Sequence, residues 1–184
     1  MDSFGDHAVH CRNDIGVKFR HNAVRDTVCD ILLKSGIAFK KEAELQFMSS
    51  NDNSRLRPAD VLLYSWDSGR NLCLDLTGVS PFVGFGNKTF EAEFAVEEAA
   101  RKKTLKHEAV CTRNGYSFAP FAFSTFGGLK TRSVEFLRRV REVFLGHFQC
   151  PKLASFIFPR VSFSIQKGIG AQIVSRLPIN FVND

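Results

Sequence analysis

Apolar and polar residues are arranged along the chain in blocks that predict helices and strands in mixed order. A first helix is predicted over 17–35, where apolar residues recur every three or four positions and Gly36 supplies a stop. Residues 37–47 then predict a strand, and two apolar runs, at about 59–64 and 72–79, predict two more. The first part of the chain is therefore expected to fold as one helix followed by three strands.

The second half returns to helical spacing, with one further strand. A long helix is predicted over 91–113 and a fourth strand over 116–125, where Pro120 favours a sheet edge or a bulge. A helix over 133–146 and a last helical region after Pro151 follow, and Gly168 and Gly170 are expected to loosen the latter. This order predicts an α/β protein with a central mixed sheet of about four strands flanked by helices.

Length, cysteines and charge narrow the class of protein. A length of 184 residues is typical of one domain, which is predicted over 17–184. Turn-forming residues predict an irregular N-terminal segment over 1–16. Five dispersed cysteines without a C-x-x-C pair favour a reducing, intracellular compartment, and no membrane span or cleavable signal stands out. The net charge of +6 suits a polyanionic partner, and its basic residues cluster on two predicted helices, around 101–106 and 130–141.

Two acids interrupt the apolar strands. Asp60 follows Arg57-Pro58-Ala59, and Asp75 lies within Leu72-Cys73-Leu74-Asp75-Leu76-Thr77. A carboxylate placed among apolar strand residues loses hydration and needs a partner. If a four-residue loop over 66–69 joins the strands, antiparallel pairing brings Asp60 opposite Asp75, where both can bind one cation.

Phosphodiester hydrolysis is a chemistry that fits these acids. Mg²⁺ or Mn²⁺ held by carboxylates activates water and neutralises phosphate charge, with Asp60 and Asp75 as ligands and Glu42 as a third carboxylate. A lysine usually assists, but Asp75 is followed by Leu76-Thr77, so the lysine must come from elsewhere. Lys103 and Lys106 share one face of the helix over 91–113, and either can reach the site.

Simpler roles remain open for each residue. Asp60 can cap a turn, Asp75 can pair with an arginine, and Glu42 can be solvated. The lysines at 102, 103 and 106 can form a solvated helix face, and His21 near the start of the first helix can be structural. His7, His10 and Cys11 raise the question of zinc, but a complete structural site needs four ligands, so zinc is not expected in this chain.

A series of short motifs, taken in order, carries a family resemblance. They are Gly5-Asp6-His7-Ala8-Val9-His10-Cys11, Arg20-His21-Asn22 with Arg25-Asp26, Glu42, Arg57-Pro58-Ala59-Asp60, Asp75-Leu76-Thr77 and Lys103-Thr104-Leu105-Lys106-His107. In this order the chain resembles the restriction-like endonuclease domain of non-LTR retrotransposons, a nuclease of the PD-(D/E)xK type. The resemblance runs over most of the chain and implies a restriction-endonuclease-like fold.

The resemblance also implies residue roles. Asp60 and Asp75 would be metal ligands, and Lys103 would lead a displaced Lys-x-x-Lys-Tyr pattern in which His107 replaces tyrosine. His21, within one of the motifs, is a further candidate catalytic residue. His7 and Cys11 resemble the second half of a zinc knuckle, a partial site in a fragment or truncated descendant of a longer polyprotein.

The resulting expectation is a retrotransposon-derived DNA endonuclease acting in the nucleus. Its DNA contacts are expected at Lys102, Arg138, Arg139 and Arg141, and a reverse transcriptase or a host factor is the candidate protein partner. Two alternatives stay open: an inactive nucleic-acid-binding or protein-interaction module with the same fold, and a nuclease selective for branched DNA.

Overall fold

A computed structural model of the protein describes residues 15–49, 54–81 and 93–175. Its helices are α1 (Ile15–Lys34), α2 (Phe94–Arg113), α3 (Thr131–Phe148), α4 (Pro151–Ala154) and α5 (Ile157–Val174). Its strands are β1 (Phe39–Lys41), β2 (Phe47–Met48), β3 (Arg55–Leu56), β4 (Val61–Asp67), β5 (Arg70–Val79) and β6 (Ser117–Ser124). No helix within these ranges has both the length and the apolar character needed to cross a bilayer.

Four of the strands form one mixed sheet in the order β1, β4, β5, β6. The first two pairings are antiparallel, and β6 runs parallel to β5 after the α2 crossover. The predicted α/β class, with a mixed four-stranded sheet flanked by helices, is confirmed. Pro120 lies on β6 at the end of the sheet order, where a residue without an N–H donor is tolerated.

The hairpin between β4 and β5 is tighter than predicted. The prediction of a four-residue loop at 66–69 is wrong, because β4 continues to Asp67 and only Ser68 and Gly69 form the turn. Both have positive φ, 50° and 84°, as a tight hairpin turn requires. A bulge between Leu63 and Asp67 absorbs the additional β4 residues, so the register nearer the acids is undisturbed.

The predicted strand over 37–47 is also wrong in its extent. Only β1 joins the main sheet, because Glu42 and Gln46 adopt positive φ values of 49° and 54° that end the extended conformation. The chain then enters a separate two-stranded ribbon of β2 and β3. Ala43 and Phe47 are nevertheless buried, since they pack beneath the sheet beside Leu62.

Each face of the sheet is covered by packed apolar side chains. The larger core joins α1, α3 and α5 to alternate sheet residues such as Leu63, Leu74 and Phe123. The smaller core lies on the other face, where Val110 and Cys111 of α2 pack with residues of the opposite alternation: Leu62, Cys73 and Phe118. Side chains of β4 and β5 in the second set therefore point toward α2.

Helices α1 and α5 approach each other closely at glycines. A Cβ atom at Gly168 would lie 2.7 Å from Cγ of Arg20 and 3.0 Å from its Cα, and one at Gly16 would lie 2.6 Å from Cγ of Gln172. The expectation that Gly168 and Gly170 loosen this helix is wrong, because α5 is continuous to Val174. Gly168 instead lets the two helix backbones come into contact.

Candidate active site

The two acids predicted from the strands lie together on the α2 face of the sheet. Val61 pairs with Leu74 and Leu62 with Cys73, so the same register places Asp60, just before β4, opposite Asp75. Asp60 shares the alternation of Leu62, and Asp75 that of Cys73, both of which pack toward α2. Strand pairing alone therefore brings the two carboxylates to one place.

Asp60 is fixed from three directions. Its backbone carbonyl accepts a hydrogen bond from the N–H of Glu42 at 2.8 Å. Its Oδ2 accepts one from the backbone N–H of Leu76 at 2.7 Å and lies 3.2 Å from Nε2 of His21. Burial by itself would raise the pKa of Asp60, but the His21 contact, the Leu76 N–H and the nearby Lys103 charge together hold it below its ordinary value.

Asp75 is the more deeply buried acid, with only 4 % of its side chain exposed. Lys103 Nζ donates to Oδ1 at 3.1 Å and lies 2.9 Å from Oδ2, outside hydrogen-bond geometry. No donor among the described residues completes a hydrogen bond to Oδ2. This oxygen is therefore buried next to the Lys103 charge without a hydrogen-bond donor of its own among the described residues.

The environment of Asp75 favours its protonated form when no other cation is present. Burial raises the pKa of Asp75 to about 7. The Lys103 ammonium opposes that shift, while the charge of the Asp60 carboxylate adds to it. The negative charge on Asp60 thus disfavours a second negative charge on Asp75, as expected for two acids placed for one cation.

A lysine of helix α2 contacts Asp75, whose own strand, β5, has no lysine after the acid. Lys103, half-buried, reaches Asp75 across the helix–sheet interface. Lys106 lies one turn farther, exposed, and has no hydrogen bond or ion pair with another described residue. Of the two lysines, Lys103 is the one that contacts the acids.

His107 is buried beneath these lysines. Its ring packs 5.8 Å from Phe118, and its Nδ1 has no hydrogen-bond partner among the described residues. Burial, together with the nearby charges of Lys103 and Lys106, lowers its pKa to about 4. The imidazole is therefore neutral at physiological pH.

His21 joins the acids from α1. Its Nε2 contacts Asp60, and that hydrogen bond raises the pKa of His21 although burial opposes the shift. A protonated His21 is an electrostatic partner for Asp60. The first-helix motif that contains His21 is thus part of the same cluster.

Glu42 takes a different position from the one predicted for a third ligand. Its carboxylate forms an ion pair with the buried guanidinium of Arg25, and 65 % of its side chain is exposed. Within the described ranges, no three histidine, cysteine or acidic side chains converge closely enough to hold a metal ion. In the sequence, Arg25 lies one helical turn after His21, but this spacing does not indicate that Arg25 contacts Glu42.

The basic residues predicted to bind DNA are divided between the two sheet faces. Lys102 is exposed on α2, 3.7 Å from Glu98, on the side of the acids. The three arginines lie on α3, across the sheet, where Arg139 stacks 4.4 Å over Trp66 while Arg138 and Arg141 are exposed. The partial zinc motif at His7 and Cys11 lies outside the described residues.

The two aspartates suit Mg²⁺ better than a structural metal. Mg²⁺ is commonly bound by one or two carboxylates, with water and substrate phosphate oxygens completing its shell, whereas a structural zinc site needs four protein ligands. Asp60 and Asp75 supply two adjacent carboxylates, and the buried Oδ2 of Asp75 lacks a donor among the residues that the structure describes. The residues present therefore fit a magnesium ion.

Two comparisons with known proteins found no match. No protein-family model matches the chain, and no curated protein matches it. The function of the site therefore has to be inferred from its own geometry.

Proposed function

We propose that this protein is a Mg²⁺-dependent DNA endonuclease with a restriction-endonuclease-like fold, derived from a retrotransposon nuclease domain. Asp60 and Asp75 would hold the ion, and Mn²⁺ would be accepted in its place. When bound, the ion would supply an activated water and neutralise charge on the scissile phosphate.

Lys103 has the role of a fixed cation in this proposal. Its ammonium lies 2.9 Å from Asp75, so a phosphate bound next to that acid would come within reach of the same charge. His21 acts differently, because it contacts Asp60 and would orient that carboxylate. We assign Lys103 to charge stabilisation or water orientation and His21 to positioning.

The observation that carries the proposal is the meeting of three charged groups from separate parts of the chain. Asp60 and Asp75 come together through strand register, and Lys103 reaches them from α2, 28 residues beyond Asp75 in sequence. Burying two acids beside a lysine has a desolvation cost that apolar residues of similar size would avoid. Clusters of ionisable side chains with shifted pKa values are typical of catalytic sites.

Metal-dependent cleavage tests the proposal. The full chain is incubated with single-stranded, duplex and branched DNAs in Mg²⁺, in Mn²⁺ and in EDTA, and products are resolved on denaturing gels. Cleavage in either metal but not in EDTA is expected, with no cleavage by Asp60→Asn or Asp75→Asn. Asp67→Asn, which alters an acid at the far end of β4 that is 44 % exposed, serves as the matched control.

A second candidate function is a nucleic-acid-binding module without catalysis. It is favoured by the pairing of each acid with a cation of the protein itself, Asp75 with Lys103 and Asp60 with His21. Calorimetric titration with Mg²⁺ distinguishes the two functions. Ion binding that is abolished in Asp75→Asn supports the nuclease, whereas binding of DNA without any binding of metal supports the module.

A further inference from the structure

A cleft of about 470 Å³ lies beside the acids, between α2 and the C-terminal part of β5. Thr77, Gly78 and Val79 form its β5 side, and Lys103 lines it while also contacting Asp75. The cleft therefore adjoins the candidate active site through Lys103, although neither Asp60 nor Asp75 lines it. A smaller cavity of about 240 Å³ next to it shares Lys103 and adds His21.

One ridge of α2 forms the other wall of the cleft. Phe94, Glu98, Lys102 and Lys106 follow one another at four-residue intervals, and all four line the cleft. Side chains four apart lie on one side of a helix, rising about 6 Å per step. An aromatic ring that is 43 % exposed thus stands at one end of the wall and two lysines at the other.

The charges of this wall are predominantly positive. Its one acid, Glu98, is held by Arg101 through two hydrogen bonds of 2.8 Å, and Lys102 lies 3.7 Å from the same carboxylate. Lys106 has no ion pair with another described residue. Arg20, which donates to Gln172, adds a further cation at the inner side.

We propose that this cleft binds one or two unpaired nucleotides of a nucleic acid strand, with Phe94 stacking on a base and Lys102 and Lys106 contacting phosphates. An exposed aromatic ring combined with a basic groove is the usual means of binding single strands without sequence preference. The inference rests on the proposed function, because the same strand would continue from the cleft to the phosphate at Lys103 and Asp75.

The size of the cleft selects an unpaired strand over a duplex. A volume of 470 Å³ is typical of a site for a small ligand and accommodates a nucleotide or two, but not a double helix. The ring of Phe94 is also useful only to a base whose face is free. A substrate with an unpaired segment beside the scissile phosphate, such as a flap or a frayed end, therefore fits better than an uninterrupted duplex.

Binding without cleavage tests this subsite. Affinity for a short, fluorescently labelled single-stranded DNA of mixed sequence is measured in EDTA by anisotropy. Phe94→Ala and Phe94→Leu are each expected to raise Kd about tenfold, the effect of removing one stacked base, while Phe94→Tyr keeps wild-type affinity. Leu105→Ala is the control, because Leu105 is 69 % exposed on the same helix and does not line the cleft.

The lysines have their own readout. Replacing both Lys102 and Lys106 by alanine should reduce the slope of log K against log salt by about 0.7 for each phosphate that the protein no longer neutralises. An unchanged slope, or equal affinities of Phe94→Leu and Phe94→Tyr, overturns the subsite.

The test separates the subsite from the nuclease function. Phe94-dependent binding in a protein that cuts no DNA supports the subsite and contradicts the nuclease. Metal-dependent cleavage with binding that is independent of Phe94 supports the nuclease and overturns the subsite.

Discussion

Asp75→Asn is expected to change how the stability of the protein depends on pH. The carboxyl group is buried, and its pKa in the folded protein, about 7, lies well above the ordinary value of 3.8 expected in the unfolded chain. Between these values the folded state binds the proton more tightly than the unfolded state does. The free energy of unfolding therefore falls as pH rises through this window and levels off above pH 7.

The size of the effect follows from the two pKa values. Over the range from pH 5 to pH 8, a shift from 3.8 to about 7 lowers the free energy of unfolding by about 2.5 kcal/mol. An asparagine at position 75 carries no titrating proton, so this contribution disappears. The free energy of unfolding of Asp75→Asn minus that of wild type should therefore be about 2.5 kcal/mol larger at pH 8 than at pH 5.

Urea unfolding in EDTA, followed by circular dichroism at pH 5 and pH 8, measures the difference. Asp67→Asn, with its exposed carboxylate, should follow the wild-type curve and controls for the removal of one negative charge. Free energies of unfolding that run parallel for wild type and Asp75→Asn between the two pH values would show that the Asp75 carboxyl group does not titrate in a buried, charged site.

Three further changes probe the lysine, the histidine and the helix packing. Lys103→Ala should still bind Mg²⁺ in calorimetry yet cut DNA about a hundredfold more slowly, because a charge at the phosphate is removed, whereas Lys106→Ala should be milder. If Lys106→Ala is the more damaging change, the two lysines exchange roles. His21→Ala should lose the stability that the Asp60 contact adds below the ordinary histidine pKa and that fades as pH rises through the elevated pKa of His21, so curves parallel to wild type would contradict this contact. In thermal or urea unfolding, Gly168→Ala should cost about 1–3 kcal/mol, since its Cβ would meet Arg20, whereas Gly170→Ala, with open space around it, should not destabilise; equal stabilities would refute the close packing.

The acidic pair could be predicted because it depends on local rules. Alternation along two apolar strands and a short connection between them were enough to place Asp60 opposite Asp75. The error in the turn did not matter, since the bulge between Leu63 and Asp67 lies away from the acids. Helical spacing likewise indicated that Lys103 and Lys106 share a face.

Long-range contacts were beyond the reach of these rules. The pairing of Glu42 with Arg25 depends on where α1 packs, and the positive φ of Glu42 is not signalled by its residue type. The low helix propensity of Gly168 predicted a weakened helix, yet the missing side chain allows Arg20 of α1 to pack against α5. Helical spacing did not decide which of the two α2 lysines contacts Asp75, because that depends on the rotation of the helix on the sheet; only the family resemblance implied Lys103.

The central claim is that Asp60 and Asp75 form a metal-dependent cleavage site. It is tested most directly by the single-turnover rate of cleavage of a flap-containing DNA, measured as Mg²⁺ is increased, for wild type, Asp60→Asn and Asp67→Asn. Wild type and Asp67→Asn should cut at a rate that rises with Mg²⁺ and saturates, and folded Asp60→Asn should give no product at any concentration. Cleavage by Asp60→Asn at the wild-type rate, or no Mg²⁺-dependent product from folded wild-type protein, would contradict the account.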